Sequence, residues 1–247
     1  MISYQPVSKE EGIIHVIRSV VRISKEEGII YVIRSLVHSL TYFVFYKLIK
    51  RHNTFHFRGR TYYYFYNFLN KTWLNERCVE IPIIKGILCD YQSKKILEIG
   101  NVLSKYFSFE HDIVDRYEIK GNVINQDVVD FKSTSKYDLI VSISTLEHVG
   151  WDERPRDDTK ILCAVANLKN LVRPQGGLIV VTLPLGYNTA LDELIKSGRL
   201  KFTNQYYLKR ISKGNEWRES AWKDVQHANY GKPYPNVNAV LIGQIET

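Results

Sequence analysis

Acidic side chains and a histidine stand at the ends of apolar runs in this 247-residue chain, namely Glu98, Asp115, Asp127 and His148. Uncharged Val/Ile/Leu-rich runs are typical of parallel strands that are covered on both faces. The carboxyl ends of such strands meet at one edge of the sheet, where open α/β folds bind their ligands. Carboxylates at that edge can accept hydrogen bonds from ligand hydroxyl groups, and a histidine can accept a proton near neutral pH.

The run Ile96–Asn101 places an acid and a glycine at the end of the first of these strands. Glu98 can accept hydrogen bonds from a ligand, and Gly100 allows the backbone to approach that ligand closely. Only one glycine is present, and Asn101, which tolerates a left-handed backbone, is the candidate replacement for a second one. We therefore predict a small-molecule site at Glu98, Ile99, Gly100 and Asn101.

Further strands follow at regular intervals, over residues 111–115, 123–128, 137–144 and 178–183. The last two are separated by a helix over about residues 157–171 and a turn at residues 173–177, which contain Pro174 and two glycines. Candidate strands over residues 205–212 and 238–243 predict an antiparallel end to the sheet.

Taken together, these segments resemble the class I S-adenosylmethionine-dependent methyltransferases. The resemblance covers roughly residues 94–190 and rests on KKILEIGN, DIVD, INQDVVDF, YDLIVSISTLEHV and LVRPQGGLIVVTLP. It implies an α/β fold, a three-layer Rossmann-like sandwich whose mostly parallel sheet ends in an antiparallel C-terminal hairpin. It also implies methyl transfer with S-adenosyl-L-methionine as the cofactor.

The resemblance further implies which strand ends face the cofactor. The methionine part would lie at the first strand end, the adenine beside the third, and the methyl donor at the fourth. Asp115 would bind the ribose, with Glu118 as the alternative, because the connection from Asp115 to Asn125 is too short for a usual crossover helix. The implied cofactor-binding residues are Glu98, Ile99, Gly100, Asn101, Asp115, Gln126, Asp127, Val128, Ser144 and Thr145.

His148 is the candidate catalytic base. Methyl transfer from a sulfonium is an in-line displacement, so the protein aligns donor and acceptor and removes a proton from a hydroxyl acceptor. Glu147 would orient His148 or bind the cofactor; the alternative is that His148 only caps the strand or packs in the following helix. Candidate acceptor-binding residues are Trp73, Arg77, Trp151 with its neighbours Asp152 and Glu153, and Tyr187.

The acceptor class follows from a missing motif. No Asn-Pro-Pro-Tyr run follows the fourth strand, which argues against the amino-group methyltransferases of adenine and glutamine. We therefore expect O-methylation of a small polar, glycan or glycolipid acceptor. The alternatives are an RNA methyltransferase and a non-catalytic, methyltransferase-like binding module. The basic and aromatic stretch at residues 58–66 can stack on bases, but we favour a hairpin with alternately buried rings there, which makes nucleic acid the less favoured partner.

The formal charge of +8 is concentrated in residues 1–60, which hold ten Lys/Arg and four Glu, a difference of +6. Residues 8–19 and 24–35 repeat one amphipathic helical pattern. We predict a helical extension over residues 1–57 and a methyltransferase domain over residues 58–247, of which 58–92 cover the cleft. The basic, aromatic-rich residues 8–51 fit an anionic membrane surface; packing on the domain or on a second subunit is the alternative.

The three cysteines, Cys78, Cys89 and Cys163, have no metal-ligand spacing, so no metal site is predicted. Their odd number favours a reducing environment, and no cleavable signal sequence is evident. The expected location is the cytoplasm, with peripheral membrane association through the N-terminal helices.

Overall fold

The computed structural model describes residues 29–108, 110–119 and 121–247. The first repeat unit lies outside these residues, and the second enters helix α1 (Ile29–Leu48). No helix in these ranges is both long enough and apolar enough to cross a bilayer. One side of α1 exposes apolar side chains, namely those of Ile33, Val37, Leu40, Val44 and Leu48. Membrane association of residues 8–51 stays a prediction.

The aromatic stretch after α1 forms a hairpin of strands β1 (Thr54–Phe57) and β2 (Arg60–Tyr63). Arg58 and Gly59 at its turn both have positive φ, as a two-residue type I′ connection requires. Phe55, Phe57, Tyr64 and Tyr66 are buried, whereas Tyr63 is exposed. Most rings of this stretch therefore belong to the core, as the hairpin interpretation predicted.

A mixed sheet of eight strands forms the centre of the molecule. In chain order its strands are β3 (Ile96–Ile99), β4 (Asp112–Val114), β5 (Val123–Ile124), β6 (Leu139–Ile143), β7 (Leu178–Pro184), β8 (Asn204–Arg210), β9 (Trp217–Ser220) and β10 (Ala239–Glu246). Their spatial order is β5-β4-β3-β6-β7-β10-β8-β9. Strands β3 to β7 are parallel, and β10 runs antiparallel to both β7 and β8. The first five have the 3-2-1-4-5 order of a doubly wound fold.

Helices cover both faces of the sheet. Helix α2 (Arg77–Asp90) and the β1–β2 hairpin pack on one face, where Ile81, Ile84 and Val141 are fully buried. Helices α3 (Lys160–Leu171) and α4 (Thr189–Lys196) pack on the other. A short helix α5 (Trp222–Val225) follows β9. The predicted three-layer Rossmann-like sandwich with an antiparallel C-terminal part is confirmed.

The connection from β4 to β5 contains no helix in its described residues, 115–119 and 121–122. The ends of β3, β4 and β5 lie side by side: Asp115 N–H donates to Ile124 O over 3.1 Å, and Gly100 N–H donates to Val114 O over 2.8 Å. These three strand ends and that of β6 form the edge at which the cleft opens.

Candidate active site at the carboxyl edge of the sheet

A cleft of about 490 Å³ opens beyond the carboxyl ends of β3, β4 and β6. This is the edge at which parallel α/β sheets bind ligands. The cleft brings together thirteen of the predicted site residues: Arg77, Ile99, Gly100, Asn101, Asp115, Gln126, Asp127, Val128, Ser144, Thr145, His148, Asp152 and Glu153. Lys105 and Arg116, which were not predicted, also line it. Arg116 follows Asp115 at a strand end, a position that sequence reasoning could have included.

Gly100 shapes the floor of the cleft. Its φ is +82°, and a Cβ atom there would lie 2.3 Å from Thr145 Oγ1 and 2.6 Å from Thr145 Cγ2. Only glycine therefore fits where the β3 loop passes the end of β6. Asn101 does not have positive φ, so the expectation that it replaces a second glycine is wrong. Its backbone N–H instead donates to Asp115 Oδ2 over 3.1 Å.

Glu98 lies beneath this loop and does not line the cleft. Its Oε1 accepts the N–H groups of Val102 and Leu103, each over 2.8 Å. Its Oε2 lies 2.8 Å from His111 Nε2. The buried carboxylate thus satisfies backbone donors of the loop, which fixes the wall of the cleft from behind.

Asp115 presents an ionised carboxylate to the cleft. Its Oδ1 accepts the N–H groups of Tyr117 and Glu118, and its Oδ2 that of Asn101. Burial tends to raise the pKa of Asp115, but these three backbone donors outweigh it and lower the pKa. Oδ2 keeps an acceptor position for a ligand hydroxyl. Glu118, the alternative, does not line the cleft and pairs with Lys105 at 3.7 Å.

Asp127 belongs to a network of four charges on the opposite wall. Arg116 Nη1 lies 2.8 Å from Asp127 Oδ2 and 2.5 Å from Glu153 Oε2. Lys160 Nζ lies 2.5 Å and 2.6 Å from the same two oxygens. Burial opposes ionisation of Glu153, yet hydrogen bonds from Lys160, the Gly150 N–H and Arg116 lower its pKa to about 2. The network closes the wall beside Gln126 and Val128.

His148 is oriented by Asp152 at the mouth of the cleft. Its Nδ1 lies 2.5 Å from Asp152 Oδ2, and Tyr187 Oη donates to the same oxygen over 2.7 Å. Burial opposes ionisation of Asp152, but these two hydrogen bonds outweigh it and lower its pKa. With the proton assigned to Nδ1, facing the carboxylate, Nε2 is the ring nitrogen that can accept a proton. Tyr187 does not line the cleft itself, and it contacts the site through this hydrogen bond to Asp152.

Buried ionisable side chains lie next to His148 and at the nearby end of β6. Glu147 is 1% exposed, its Oε1 lies 3.5 Å from His148 Nε2, and burial raises its pKa well above the usual range. Arg77 donates to the carbonyls of Ile143 and Ser144 over 3.0 and 3.3 Å. It also pairs with the buried Glu80 at 2.9 Å. These contacts tie the start of α2 to the end of β6.

The remaining predicted acceptor residues lie elsewhere. Trp73 is 1% exposed and packs with Phe43 and Phe68, at ring distances of 5.5 and 6.1 Å. Trp151 lies under the guanidinium of Arg156, 3.4 Å from the ring centre. Neither tryptophan lines the cleft.

Asp192 supports the loop that carries Tyr187. Its Oδ2 accepts the Gly186 N–H over 2.8 Å, while its buried Oδ1 has no partner among the described residues. Burial raises its pKa to about 6, above the value of about 3.9 in an unfolded chain. The folded state therefore holds this proton more tightly, and stability falls as pH rises from about 4 to 6.

We predict that Asp192→Asn removes this dependence. The variant should match the parent near pH 4 and exceed it at pH 8 by up to about 3 kcal/mol, since each pKa unit is worth about 1.4 kcal/mol. Urea unfolding at both pH values measures the difference. Asp130→Asn, the same substitution at an exposed position, is the control. An equal difference at both pH values contradicts the prediction.

No protein-family model matches the sequence, and no curated protein matches it. Solved methyltransferase structures are similar to it in fold. They include the N-methyltransferase NodS from Bradyrhizobium japonicum WM9 with S-adenosyl-L-homocysteine (TM-score 0.41, 14% identity, 68% of this chain and 87% of that chain). The sugar N-methyltransferase KedS8 from Streptoalloteichus sp ATCC 53650 has a TM-score of 0.36, 10% identity, and coverage of 70% and 89%. The magnesium protoporphyrin IX methyltransferase ChlM from Synechocystis PCC 6803, solved with bound SAM, has a TM-score of 0.36 and 8% identity, and the match covers 67% of this chain and 76% of that chain. At these identities and scores the similarity identifies neither a family nor an acceptor for this chain.

Proposed function

We propose that this chain is an S-adenosyl-L-methionine-dependent methyltransferase that methylates an oxygen of a small polar or glycan-type acceptor. The observation that carries the proposal is that the Gly100 cradle and the His148–Asp152 pair open onto one cleft. The first suits a cofactor that needs close backbone approach, and the second suits removal of a proton from an acceptor. The proposed domain is residues 58–247, with residues 58–92 as its cover segment.

The residues of the cleft fit the adenosyl cofactor. The volume of about 490 Å³ lies within the range of about 300–1,000 Å³ for small-molecule pockets. Ile99, Val114 and Val128 supply apolar walls for a flat base, and Asp115 supplies an acceptor for ribose hydroxyls. Gly100 lines the cleft, and its bare backbone there allows close approach of the methionine part.

In the proposed mechanism the bound cofactor supplies a sulfonium-bound methyl group as the electrophile. His148 Nε2 would accept the proton of the acceptor hydroxyl, whose oxygen is the nucleophile for that methyl group. Asp152 holds the Nδ1–H and stabilises the imidazolium that forms, because the carboxylate lies 2.5 Å away. Ser144 and Thr145 line the floor and fix the direction of approach.

Two other functions remain distinguishable by experiment. An RNA methyltransferase would need exposed stacking rings, and most rings of residues 55–66 are buried. A non-catalytic module would bind the cofactor without transferring its methyl group, and the single cradle glycine motivates that alternative.

Isothermal titration of the full chain with S-adenosylmethionine and S-adenosylhomocysteine tests the proposal. We expect one site that binds both compounds, and no saturable binding of ATP or NAD⁺ at the same concentrations. Transfer of radiolabelled methyl groups to a glycan panel then separates an enzyme from a binding module. Absence of binding by both sulfur compounds would contradict the proposal.

A further inference from the structure

A second cavity, of about 720 Å³, lies where the ends of β8 and β9 meet the segment that leads to β10. It is strongly basic: five Lys/Arg line it, with Asp224 as the only lining carboxylate among the described residues. The basic residues are Lys209, Arg210, Arg218, Lys223 and Lys232, and His227 joins them. The proposed methyl transfer uses none of these groups.

Two of the cations stand directly opposite each other. Lys209 on β8 pairs in register with Arg218 on β9. Side chains of directly opposed residues point to the same face, with Cβ atoms about 4.5–5.5 Å apart, and like charges there are destabilising. None of Lys209, Arg218, Lys223 and Lys232 forms an ion pair with a described residue. Within the described residues no ion pair relieves this repulsion, although Asp224 lines the same cavity.

Arg210 adds a buried cation to the wall of this cavity. It is 5% exposed and donates to the carbonyls of Leu74, Ser212, Lys213 and Pro235 over 2.7–3.3 Å. Burial lowers its pKa, and it forms no ion pair with a described carboxylate. Because Arg210 is held in place by these carbonyls and stays charged, it adds to the positive potential of the cavity.

The basic cavity lies on the same sheet edge as the proposed active site. Strand β8 runs parallel to β6, so the carboxyl ends of both meet that edge. They are three strand spacings apart, or about 15 Å at about 4.8 Å per spacing. Segments next to the two sites contact each other, because the Tyr187 and Tyr230 rings lie 5.4 Å apart and Tyr230 N–H donates to Gly186 O.

We propose that this cavity binds a phosphate-bearing part of the methyl acceptor, and that the acceptor spans the two sites. The inference rests on the proposed function and narrows its substrate class to phosphorylated or diphosphate-linked glycans. Several Lys/Arg donors on one oxyanion give strong charge-assisted hydrogen bonds and relieve the Lys209–Arg218 repulsion. The ends of β6 and β8 are about 15 Å apart, so the proposed acceptor is an extended molecule with its target hydroxyl at His148 and its phosphate beside Lys209.

The cavity favours a compact anion over a nucleic acid. Its volume is that of a small-molecule pocket. Single-stranded RNA is bound by grooves in which aromatic rings alternate with cations, and Tyr234 is the only Phe, Tyr or Trp that lines this cavity within the described chain.

Titration of the full chain with inorganic pyrophosphate at low salt tests the inference. We expect saturable binding that Lys209→Gln/Arg218→Gln weakens at least tenfold. The control is Lys169→Gln/Lys201→Gln, which removes the same charge from exposed positions outside the cavity and should bind as the parent does. Because the mutated pair is mutually repulsive, its variant should keep the parent's melting temperature in the absence of pyrophosphate.

Two further titrants identify the source of the phosphate. Vesicles that contain phosphatidic acid, bound in a way that the double variant loses, would indicate a lipid-linked acceptor; binding of soluble pyrophosphate alone would indicate a soluble one. A single-stranded RNA whose binding depends on the pair, without any binding of pyrophosphate, would overturn the inference in favour of nucleic acid. Equal binding by parent and double variant would also overturn it.

S-adenosylhomocysteine affinity, measured on the same proteins, separates this inference from the proposed function. It should be unchanged in the double variant, because neither residue lines the cleft. If the chain binds S-adenosylhomocysteine but not pyrophosphate, only the proposed phosphate site is rejected. Pyrophosphate binding without cofactor binding rejects the methyltransferase proposal and, with it, the acceptor role of the cavity.

Discussion

Replacement of Gly100 with alanine should abolish cofactor binding. The new Cβ would lie 2.3 Å from Thr145 Oγ1 and 2.9 Å from Thr145 Cβ, so Thr145, which lines the cleft, has to shift. A left-handed backbone at a non-glycine residue costs roughly 1–2 kcal/mol, and overpacking a further 1–3 kcal/mol. We expect no measurable heat on titration with S-adenosylhomocysteine and a lower urea midpoint.

Gly176 provides a matched control for this substitution. Its φ is +86°, close to that of Gly100, but a Cβ there would meet nothing within 4 Å. Gly176→Ala carries the same backbone cost without the collision, so it should be mildly destabilised and keep the parent's cofactor affinity. Equal loss of binding in both variants, or retention in both, would show that the Gly100 loop is not the cofactor cradle.

Replacement of His148 with glutamine should lower turnover by about 10²–10⁴-fold, the usual contribution of a positioned general base. Glutamine retains a polar side chain of similar length but cannot take the proton from an acceptor hydroxyl. Asp152→Asn should act through the same step, because it removes the carboxylate that holds His148 Nδ1–H at 2.5 Å. Steady-state transfer of radiolabelled methyl groups measures both effects.

Cofactor affinity distinguishes a catalytic from a structural role for His148. Both variants should bind S-adenosylhomocysteine within a factor of about three of the parent, a difference of under 1 kcal/mol. His56→Gln, which alters an exposed histidine of the β1–β2 hairpin, should leave turnover unchanged. Normal turnover in His148→Gln would assign the proton to another group or to solvent.

Much of the fold could be predicted because near-continuous apolar runs leave few alternatives to buried parallel strands. The same runs predict where the strands end, and therefore which residues next to those ends line the cleft, such as Gly100, Asp127 and Thr145. The short β4–β5 connection was predictable from length alone, since the few residues between Asp115 and Asn125 cannot form a usual crossover helix.

Side-chain partners could not be predicted in the same way. The strand pattern predicts Glu98 as a ligand-facing acid, yet its carboxylate accepts the N–H groups of Val102 and Leu103 behind the loop. The sequence predicts a left-handed backbone at Asn101, but of these two neighbours only Gly100 has positive φ. Such choices depend on which donors the tertiary structure leaves unpaired, and a strand pattern contains no information about them.

Contacts between residues far apart in the sequence also determine the position of Arg77 and the basic cavity. Arg77 reaches the carbonyls of Ile143 and Ser144, more than 60 residues away. The basic cavity exists because β8 and β9 place Lys209 opposite Arg218, and the single-residue register of that pairing is set by packing of the sheet faces. The sequence shows that both residues are basic, but it does not show that they lie opposite each other.

The most direct measurement is a crystal structure of the full chain with S-adenosylhomocysteine. We predict its homocysteine part above Gly100, its ribose within hydrogen-bond distance of Asp115, its adenine beside Val128, and its sulfur facing His148 across Thr145. A ligand bound at another edge of the sheet, or a cleft that S-adenosylhomocysteine does not enter at saturating concentration, would contradict the account.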